Sequence, residues 1–278
     1  MDYIDLHIHS IHSDGTLKPA EIVEYARQFQ LKAISLTDHD SIDGVEEAIL
    51  AGKRVGVEVI PGIEISSNYF DRDIHILGYC LDIHHPAISE YTRQIRVYRE
   101  ERAKRIIELL KQSGIHITWQ LVKAKSAGGV IGRPHIADVL LEEGYVYSFR
   151  DAFDKYLGES GKAFVPKEMI TPLQAIDIIH QAGGLACIAH PGVDIPDDTV
   201  LELLNYGLDG IEVYHPKHSK TDIEHYLDMA RKHQLFVTGG SDSHGLRMLD
   251  ITIGSLHVPY KCIIDLKNKC NNLHAVRE

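Results

Sequence analysis

Short apolar runs that end in a histidine or an aspartate recur along this chain, and that recurrence limits the folds open to it more than any other feature. Lys32 to Leu36 leads into Thr37-Asp38-His39-Asp40, Leu185 to Ala189 into His190-Pro191, Gly210 to Tyr214 into His215-Pro216, and Leu235 to Thr238 into Gly239-Gly240-Ser241-Asp242-Ser243-His244-Gly245. Helical periodicity separates these runs. It covers Lys18 to Gln30, with Pro19 near its start and Ile22, Val23, Ala26 and Phe29 on one face, then about Asp43 to Lys53, Pro172 to Gln181, Asp197 to Asn205 and Thr221 to His233. Repeated strand-helix units with little antiparallel patterning predict a parallel sheet covered by helices, and a closed (β/α) barrel fits best. A barrel gathers its strand ends on one rim, so His39, His190, His215, Asp242 and His244 are expected to converge there.

The N-terminal stretch carries the strongest local signal. Alternation puts Ile4, Leu6 and Ile8 on one face of a strand and Asp5, His7 and His9 on the other. Two imidazoles on one rigid strand form a two-point clamp for a divalent ion, although a half-exposed edge strand with incidental histidines would account for the pattern taken alone. Ser13-Asp14-Gly15 reads as a turn. Val57 to Ile60 and Ile63 to Ile65 read as short strands broken by Pro61-Gly62, and Ile74 to Tyr79 as another, with Glu64 and His75 interrupting them.

From about Asp82 the pattern changes. Ile88 to Lys111 is a long charged helical stretch, Thr118 to Ser126 and Pro134 to Glu143 are shorter ones, and β signal is nearly absent before Phe164. The expected organisation is a barrel from residues 1–81 and 166–278, with 82–165 inserted as a mainly helical subdomain. Ile251 to Val258 is a last apolar segment, and the polar tail to Glu278 has room for a short helix. The chain has 278 residues, 44% of them hydrophobic, enough for a proper core.

A net charge of -11 argues against indiscriminate nucleic-acid binding or a stable duplex partner. The charge is uneven, because residues 91–133 hold ten Lys or Arg against three acids. The N-terminus runs straight into the first strand and no apolar run could span a bilayer, so the expectation is a cytoplasmic protein without a membrane partner. Cys80, Cys187, Cys262 and Cys270 are widely spaced without a C-x-x-C, which predicts reduced thiols and no thiolate zinc site.

Nine of the side chains singled out so far can ligate metal: His7, His9, Asp14, His39, Glu64, His75, His190, Asp242 and His244. Six imidazoles and three carboxylates exceed the needs of one ion and imply a multinuclear site with a bridging carboxylate. Nitrogen and oxygen donors without thiolate suit Mn, Fe or Zn. Taken singly, each histidine is better explained by a core or surface role; the joint placement at strand ends overturns that.

Asp5-Leu6-His7-Ile8-His9-Ser10, Ser13-Asp14-Gly15, Thr37-Asp38-His39-Asp40, Pro61-Gly62-Ile63-Glu64-Ile65, Ala189-His190-Pro191 and Gly240-Ser241-Asp242-Ser243-His244-Gly245 together resemble the ordered motifs of the PHP (polymerase and histidinol phosphatase) family, in particular its TrpH-like branch of nucleotide phosphoesterases. The resemblance extends over nearly the whole chain. It implies a distorted seven-stranded (β/α) barrel that holds three divalent metals. One ion would take His7, His9, Glu64 and Asp242; a second would share Glu64 and take His75 and His190; a third would take Asp14, His39 and His244. Many family members have a histidine where Asp14 stands. His12 is expected to be a solvated neighbour, and Asp5 and Asp38 to orient imidazole N–H groups.

The implied chemistry is in-line attack on phosphorus by a hydroxide held between two ions, with no protein nucleophile. His215 is the candidate for protonating the leaving group. Arg133, His135 and Lys162, in stretches resembling this branch, are candidates for a second substrate phosphate, and Tyr145, Tyr147 or Phe149 for stacking a base. The expected activity is hydrolysis of phosphate monoesters of small nucleotides: a nucleoside 3',5'-bisphosphate, a 5'-mononucleotide or the 5' end of a short RNA. The alternatives are a histidinol-phosphate phosphatase and a noncatalytic metal-stabilised module. A processive exonuclease would need a longer basic track.

Overall fold

The computed structural model describes residues 2–70, 72–167, 169–193, 195–248 and 252–277. Ile251, the start of the last apolar segment predicted above, lies outside them. β1 (Tyr3–Ile8), β2 (Ala33–Leu36) and β3 (Glu58–Tyr69) are parallel neighbours joined through α1 (Pro19–Gln28) and α2 (Val45–Val55). β4 (Arg72–Tyr79) then folds back on β3. A helical excursion follows: α3 (Pro86–Gln112), α4 (Trp119–Lys125), α5 (Arg133–Glu142) and α6 (Phe149–Ala152), the last running into a π-helical turn at Phe153–Leu157. The chain returns with α7 (Pro172–Gln181), β5 (Leu185–Ile188), α8 (Asp197–Leu204), β6 (Gly210–Tyr214), α9 (Lys220–His233) and β7 (Phe236–Gly239). β8 (Val258–Pro259) and α10 (Lys261–Arg277) end it. No described helix is long and apolar enough to cross a membrane.

The sheet order is β7-β6-β5-β4-β3-β2-β1-β8. It nearly closes, because the segment after β7 pairs with β1: Asp242 N donates to His7 O at 2.9 Å and His9 N to Ser243 O at 2.9 Å. Gly240 permits this approach, since a Cβ there would stand 2.3 Å from His7 N. Closure buries both faces of β1, so Ile4, Leu6 and Ile8 pack into the core while Asp5, His7 and His9, also buried, face the opposite way. An edge strand would leave one face wet.

Several expectations need correction. Among the described residues the sheet has eight strands rather than seven and is mixed; β4 is antiparallel to both β3 and β5. Tyr69 pairs with Arg72, and the two-residue link between them is too short for a parallel crossover. β3 is also continuous through Pro61-Gly62, because the Pro61 carbonyl still serves the sheet by accepting from Cys80 N at 3.0 Å. The polar tail forms α10, whose Cys262, Ile263, Leu266 and Cys270 lie at helical spacing and pack with Ile4, Leu77, Tyr79 and Phe236. That packing brings Cys270 to Cys80, 190 residues away, and the two form a disulfide with Cα atoms 6.5 Å apart, so only Cys187 and Cys262 are free thiols.

The helical excursion has a core of its own, formed by Ala103, Ile106 and Leu110 of α3 with Val122, Ile136, Val139, Leu140, Leu157 and Ala163. Helix ends are fixed locally. In α7, Thr171 N donates to Gln174 Oε1 at 2.9 Å and Gln174 N to Thr171 Oγ1 at 3.3 Å, ahead of Pro172 in the first turn.

Candidate metal centre and substrate cavity

The rim of the barrel brings the predicted donors together. His7 and His9 come from the end of β1, His39 from just after β2, Glu64 from β3, His75 from β4, His190 from after β5, and Asp242 and His244 from after β7. Several rim residues have the left-handed backbone that β-carbon-bearing residues disfavour: Asp40 (φ 53°), His190 (φ 30°) and Asp242 (φ 51°). The sheet pairing around them holds that conformation.

Glu64 sits at the centre, fully buried, and its two oxygens face different imidazoles. Oε1 lies 3.0 Å from His75 Nδ1 and 3.4 Å from His190 Nε2. Oε2 lies 2.8 Å from His39 Nδ1, 3.3 Å from His9 Nε2 and 3.4 Å from His7 Nε2. Asp242 Oδ1 approaches the same two nitrogens, 3.1 Å from His9 Nε2 and 3.5 Å from His7 Nε2. On the other side of the His9 ring, Asp14 Oδ1 is 4.0 Å from His9 Nδ1 and 3.3 Å from His244 Nε2. Three donor groups result: His7, His9 and Asp242; His39, Glu64 and His75; and His9, Asp14, His39 and His244. His9 and His39 each belong to two of them, so the sets overlap more than the position-by-position resemblance implied.

This arrangement fits divalent cations. Buried polar atoms in folded proteins are almost always hydrogen-bonded. Here His7 Nε2, both ring nitrogens of His9 and of His75, His39 Nδ1 and Glu64 Oε2 are buried and make no hydrogen bond of proper geometry, short as some of their separations are. Burial pushes His9 down to about 4, with the neighbouring His244 and His39 adding to the effect, so its ring is neutral and able to ligate. Burial opposes ionisation of Glu64, yet His39, His75 and His7 hold its carboxyl well below the usual range. Carboxylates set among imidazoles, without thiolate, form a donor set suited to divalent transition metals.

Beside this cluster lies a cavity of about 190 Å³ that includes Asp14, His39, Ser66 and His75, together with Arg99, Arg102, Arg133 and Phe153. It adjoins a second of about 270 Å³ lined by Asn68, Glu159 and Phe164; Asp73, Arg133 and Lys167 line both. The combined space suits a small nucleotide. Two of its cations are paired: Arg99 with Asp40, and Lys167 with Asp73 at 2.6 Å. Arg102 and Arg133 are not. Arg102 donates only to Val165 O (2.9 and 2.7 Å) and Arg133 only to Leu157 O (3.2 Å), with no ion pair among the described residues. Burial, with Arg133 and Arg99 adding repulsion, pushes Arg102 down to about 10.

Comparison with known proteins agrees with this geometry. The PHP domain model matches residues 5–169. A 5'-3' exoribonuclease of Haemophilus influenzae is 38% identical over 86% of this chain and 89% of its own length. A 3',5'-nucleoside bisphosphate phosphatase of Chromobacterium violaceum is 34% identical over 88% of each chain. The crystal structure of a Bifidobacterium adolescentis protein, provisionally assigned as a metal-dependent phosphoesterase, superposes with a TM-score of 0.89 at 32% identity over 95% of both chains. The chain belongs to the PHP family. It is a metal-dependent phosphoesterase, a hydrolase of ester bonds.

Around the PHP centre the supporting residues differ from those expected. Among the described residues neither Asp5 nor Asp38 hydrogen-bonds an imidazole. Asp5 accepts from the amides of Ser241 (2.9 Å) and Gly254 (3.0 Å), and Asp38 from Ser10 N (2.7 Å), Ser10 Oγ (2.6 Å) and Ser13 Oγ (2.6 Å), so both brace rim loops. The imidazole partner is Glu212. Its Oε1 is 3.0 Å from His7 Nδ1 and its Oε2 accepts from His190 N at 2.7 Å. The available signal was a carboxylate inside the apolar run Gly210-Ile211-Glu212-Val213-Tyr214.

His215 is buried and absent from the cavity lining. Its Nδ1 accepts from Lys217 N (3.3 Å), which leaves the proton on Nε2, 3.4 Å from Asp242 Oδ2. In this geometry it orients Asp242. His135 is also buried, with Nδ1 accepting from Gly132 N (3.0 Å) at the start of α5, and Lys162 is exposed outside the cavity; Arg99, Arg102 and Lys167 stand with Arg133 instead. Phe153 and Phe164 line the space, whereas Tyr145, Tyr147 and Phe149 do not. His12 joins none of the donor groups.

Proposed function

We propose that this chain hydrolyses phosphate esters of small nucleotides carrying a further phosphate: a nucleoside 3',5'-bisphosphate or the 5' end of a short RNA, with a 5'-mononucleotide as the minimal substrate. The observation that carries the reading is the pair of guanidinium groups, Arg102 buried and Arg133 half-buried, that make no ion pair among the described residues and stand beside the donor cluster. A guanidinium removed from water without a direct ion pair is costly, and a phosphate oxygen answers the planar fork of arginine. Three divalent ions would be held by His7, His9, Asp14, His39, Glu64, His75, His190, Asp242 and His244. When bound, they neutralise phosphate charge and make water nucleophilic near neutral pH.

The chain's own groups prepare that chemistry. Glu212 accepts the Nδ1 proton of His7, so the Nε2 lone pair is directed at Glu64 and Asp242. His244 Nδ1 donates to Asp242 O at 2.9 Å, which directs its Nε2 at Asp14 in the same way. Asp242 is fixed further by His215. Attack by water on phosphorus and departure of the ester oxygen require no serine or cysteine nucleophile: Ser10 and Ser13 both donate to Asp38, and Cys187 is buried with its thiol pushed well up.

Histidinol phosphate has no second phosphate for Arg102 and Arg133 to bind, so this wall favours the nucleotides. The test is phosphate release with Mn over adenosine 3',5'-bisphosphate, adenosine monophosphate, a 5'-phosphorylated RNA dinucleotide and histidinol phosphate, with His190→Ala as control. Preference for a substrate with two phosphates supports the proposal. Faster turnover of histidinol phosphate than of any nucleotide overturns it, and no release from any of the four returns the chain to a noncatalytic role.

A further inference from the structure

Asp40 is wholly buried in a left-handed conformation (φ 53°) immediately after His39, and the metal donors do not use it. Its backbone is fixed to the centre, because Asp40 N donates to Glu64 O at 2.8 Å. Its side chain faces the other way. Oδ1 accepts from Ser66 N (2.7 Å) and Tyr91 OH (2.5 Å), and Oδ2 accepts from Arg99 Nε (2.9 Å) and Nη2. Arg99 Nη2 also donates to Ser66 Oγ at 3.0 Å.

Those contacts occupy one edge of the guanidinium. Nη1 makes no protein hydrogen bond among the described residues, and it stands 3.7 Å from where a Cβ on Gly132 would lie, beside Arg133 in the cavity wall. The Asp40 ion pair balances the Arg99 charge but engages only the Nε/Nη2 edge, so the two Nη1 N–H donors remain in the cavity wall. One residue thus links the loop of the His39 donor to the helix that carries Arg99.

We propose that Asp40 is a positioning residue that holds Arg99 at a fixed reach from the metal donors, so that Arg99 binds the second phosphate of a bisphosphorylated nucleotide. The inference rests on the nucleotide reading above. It makes Asp40 a spacing element: the loop register sets how far the second phosphate can lie from the scissile one.

Asp40→Asn, Arg99→Ala and the double variant would be compared with wild type, with Mn, on adenosine 3',5'-bisphosphate and on p-nitrophenyl phosphate, which has no second phosphate. Binding of adenosine 3',5'-bisphosphate to the chelator-treated full chain, by calorimetry, and bound Mn are read alongside. The expected result is a rise in KM for the bisphosphate of about tenfold in Asp40→Asn, corresponding to about 1.4 kcal/mol. kcat and KM for p-nitrophenyl phosphate change far less, bound Mn is retained, and the double variant is no worse than Arg99→Ala. Equal losses on both substrates, loss of Mn, or additive effects in the double variant overturn the proposal. If Asp40→Asn does not fold, Arg99→Lys decides: unchanged bisphosphate binding overturns the proposal, and weakened binding with intact p-nitrophenyl phosphate turnover supports it. If wild type binds the bisphosphate without hydrolysing it, the nucleotide reading fails while the binding series still tests Asp40.

Discussion

Glu212 Oε1 lies 3.0 Å from His7 Nδ1, and both side chains are completely buried. The carboxylate selects the tautomer whose Nε2 faces Glu64 and Asp242, and it raises the basicity of that nitrogen. Burial favours the neutral acid, but His7, then His215 and His190, hold the Glu212 carboxyl below its ordinary range, so it stays anionic. Glu212→Gln keeps the volume and removes the charge. Metal affinity should fall roughly 10- to 100-fold, the usual cost of losing such a partner. Titration of chelated protein with Mn, followed by calorimetry, measures it; unchanged affinity would mean that His7 is not held for a metal.

Arg102 and Arg133 illustrate how a binding site can carry a stability penalty. Arg102 is buried and Arg133 half-buried, and each hydrogen-bonds only a carbonyl, so truncation should remove a poorly compensated charge as well as a substrate contact. Arg133→Ala is expected to weaken nucleotide binding by about 1.5–3 kcal/mol, the range for hydrogen bonds to charged groups. Its melting temperature should hold or rise. A thermal melt and a KM measurement on the same sample check both, and a lower melting temperature with unchanged KM would make Arg133 a structural residue.

The fold was legible where one strand or one helix speaks for itself. β1, α7 and β6 emerge from alternation, helical periodicity and apolar runs, and the rim donors follow from where those runs stop. Relations between distant segments were less legible. β4 reads as a strand, but its reversal depends on a two-residue link; Arg99 and Arg102 are two of the charges of a long helical stretch in the sequence, and only the docking of α3 on the barrel turns them inward. Glu212 was visible as a carboxylate in an apolar run, yet its partner is 205 residues away. Asp5 and Asp38 were misassigned because sequence cannot tell a carboxylate that braces a loop amide from one that braces an imidazole.

The disulfide makes a thiol count decisive. Cys80 and Cys270 are joined, while Cys187 and Cys262 are buried. Burial pushes the Cys262 thiol up to about 12, so its reactive thiolate is scarce below about pH 10. A thiol whose folded pKa exceeds its unfolded value gives stability at low pH that is lost as pH rises through the folded pKa. The native chain should therefore react slowly with Ellman's reagent at pH 8, release two thiols on unfolding and four after reduction. Four thiols on unfolding alone would show the pair reduced. Cys270→Ser should lower the melting temperature, with an upper bound of about 5 kcal/mol from closure of so long a loop.

Metal removal tests the centre without reference to any substrate. His9 and His75 present both ring nitrogens, and His7, His39 and Glu64 one atom each, without hydrogen-bond partners, in an interior where such atoms are costly. Cations that bind these atoms in the folded state but not in the unfolded chain stabilise the fold by mass action, about 2.7 kcal/mol when the free metal is 100 times its Kd. Chelation should lower the melting temperature by roughly 5 °C or more, at about 2–4 °C per kcal/mol for large domains, and added Mn should restore it. Mg should restore it poorly, because it prefers oxygen donors and keeps its water, whereas six of the nine donors here are imidazoles. A melting curve that ignores both the chelator and Mn would leave the buried donors unexplained and remove the basis for a metal-dependent reaction at this rim.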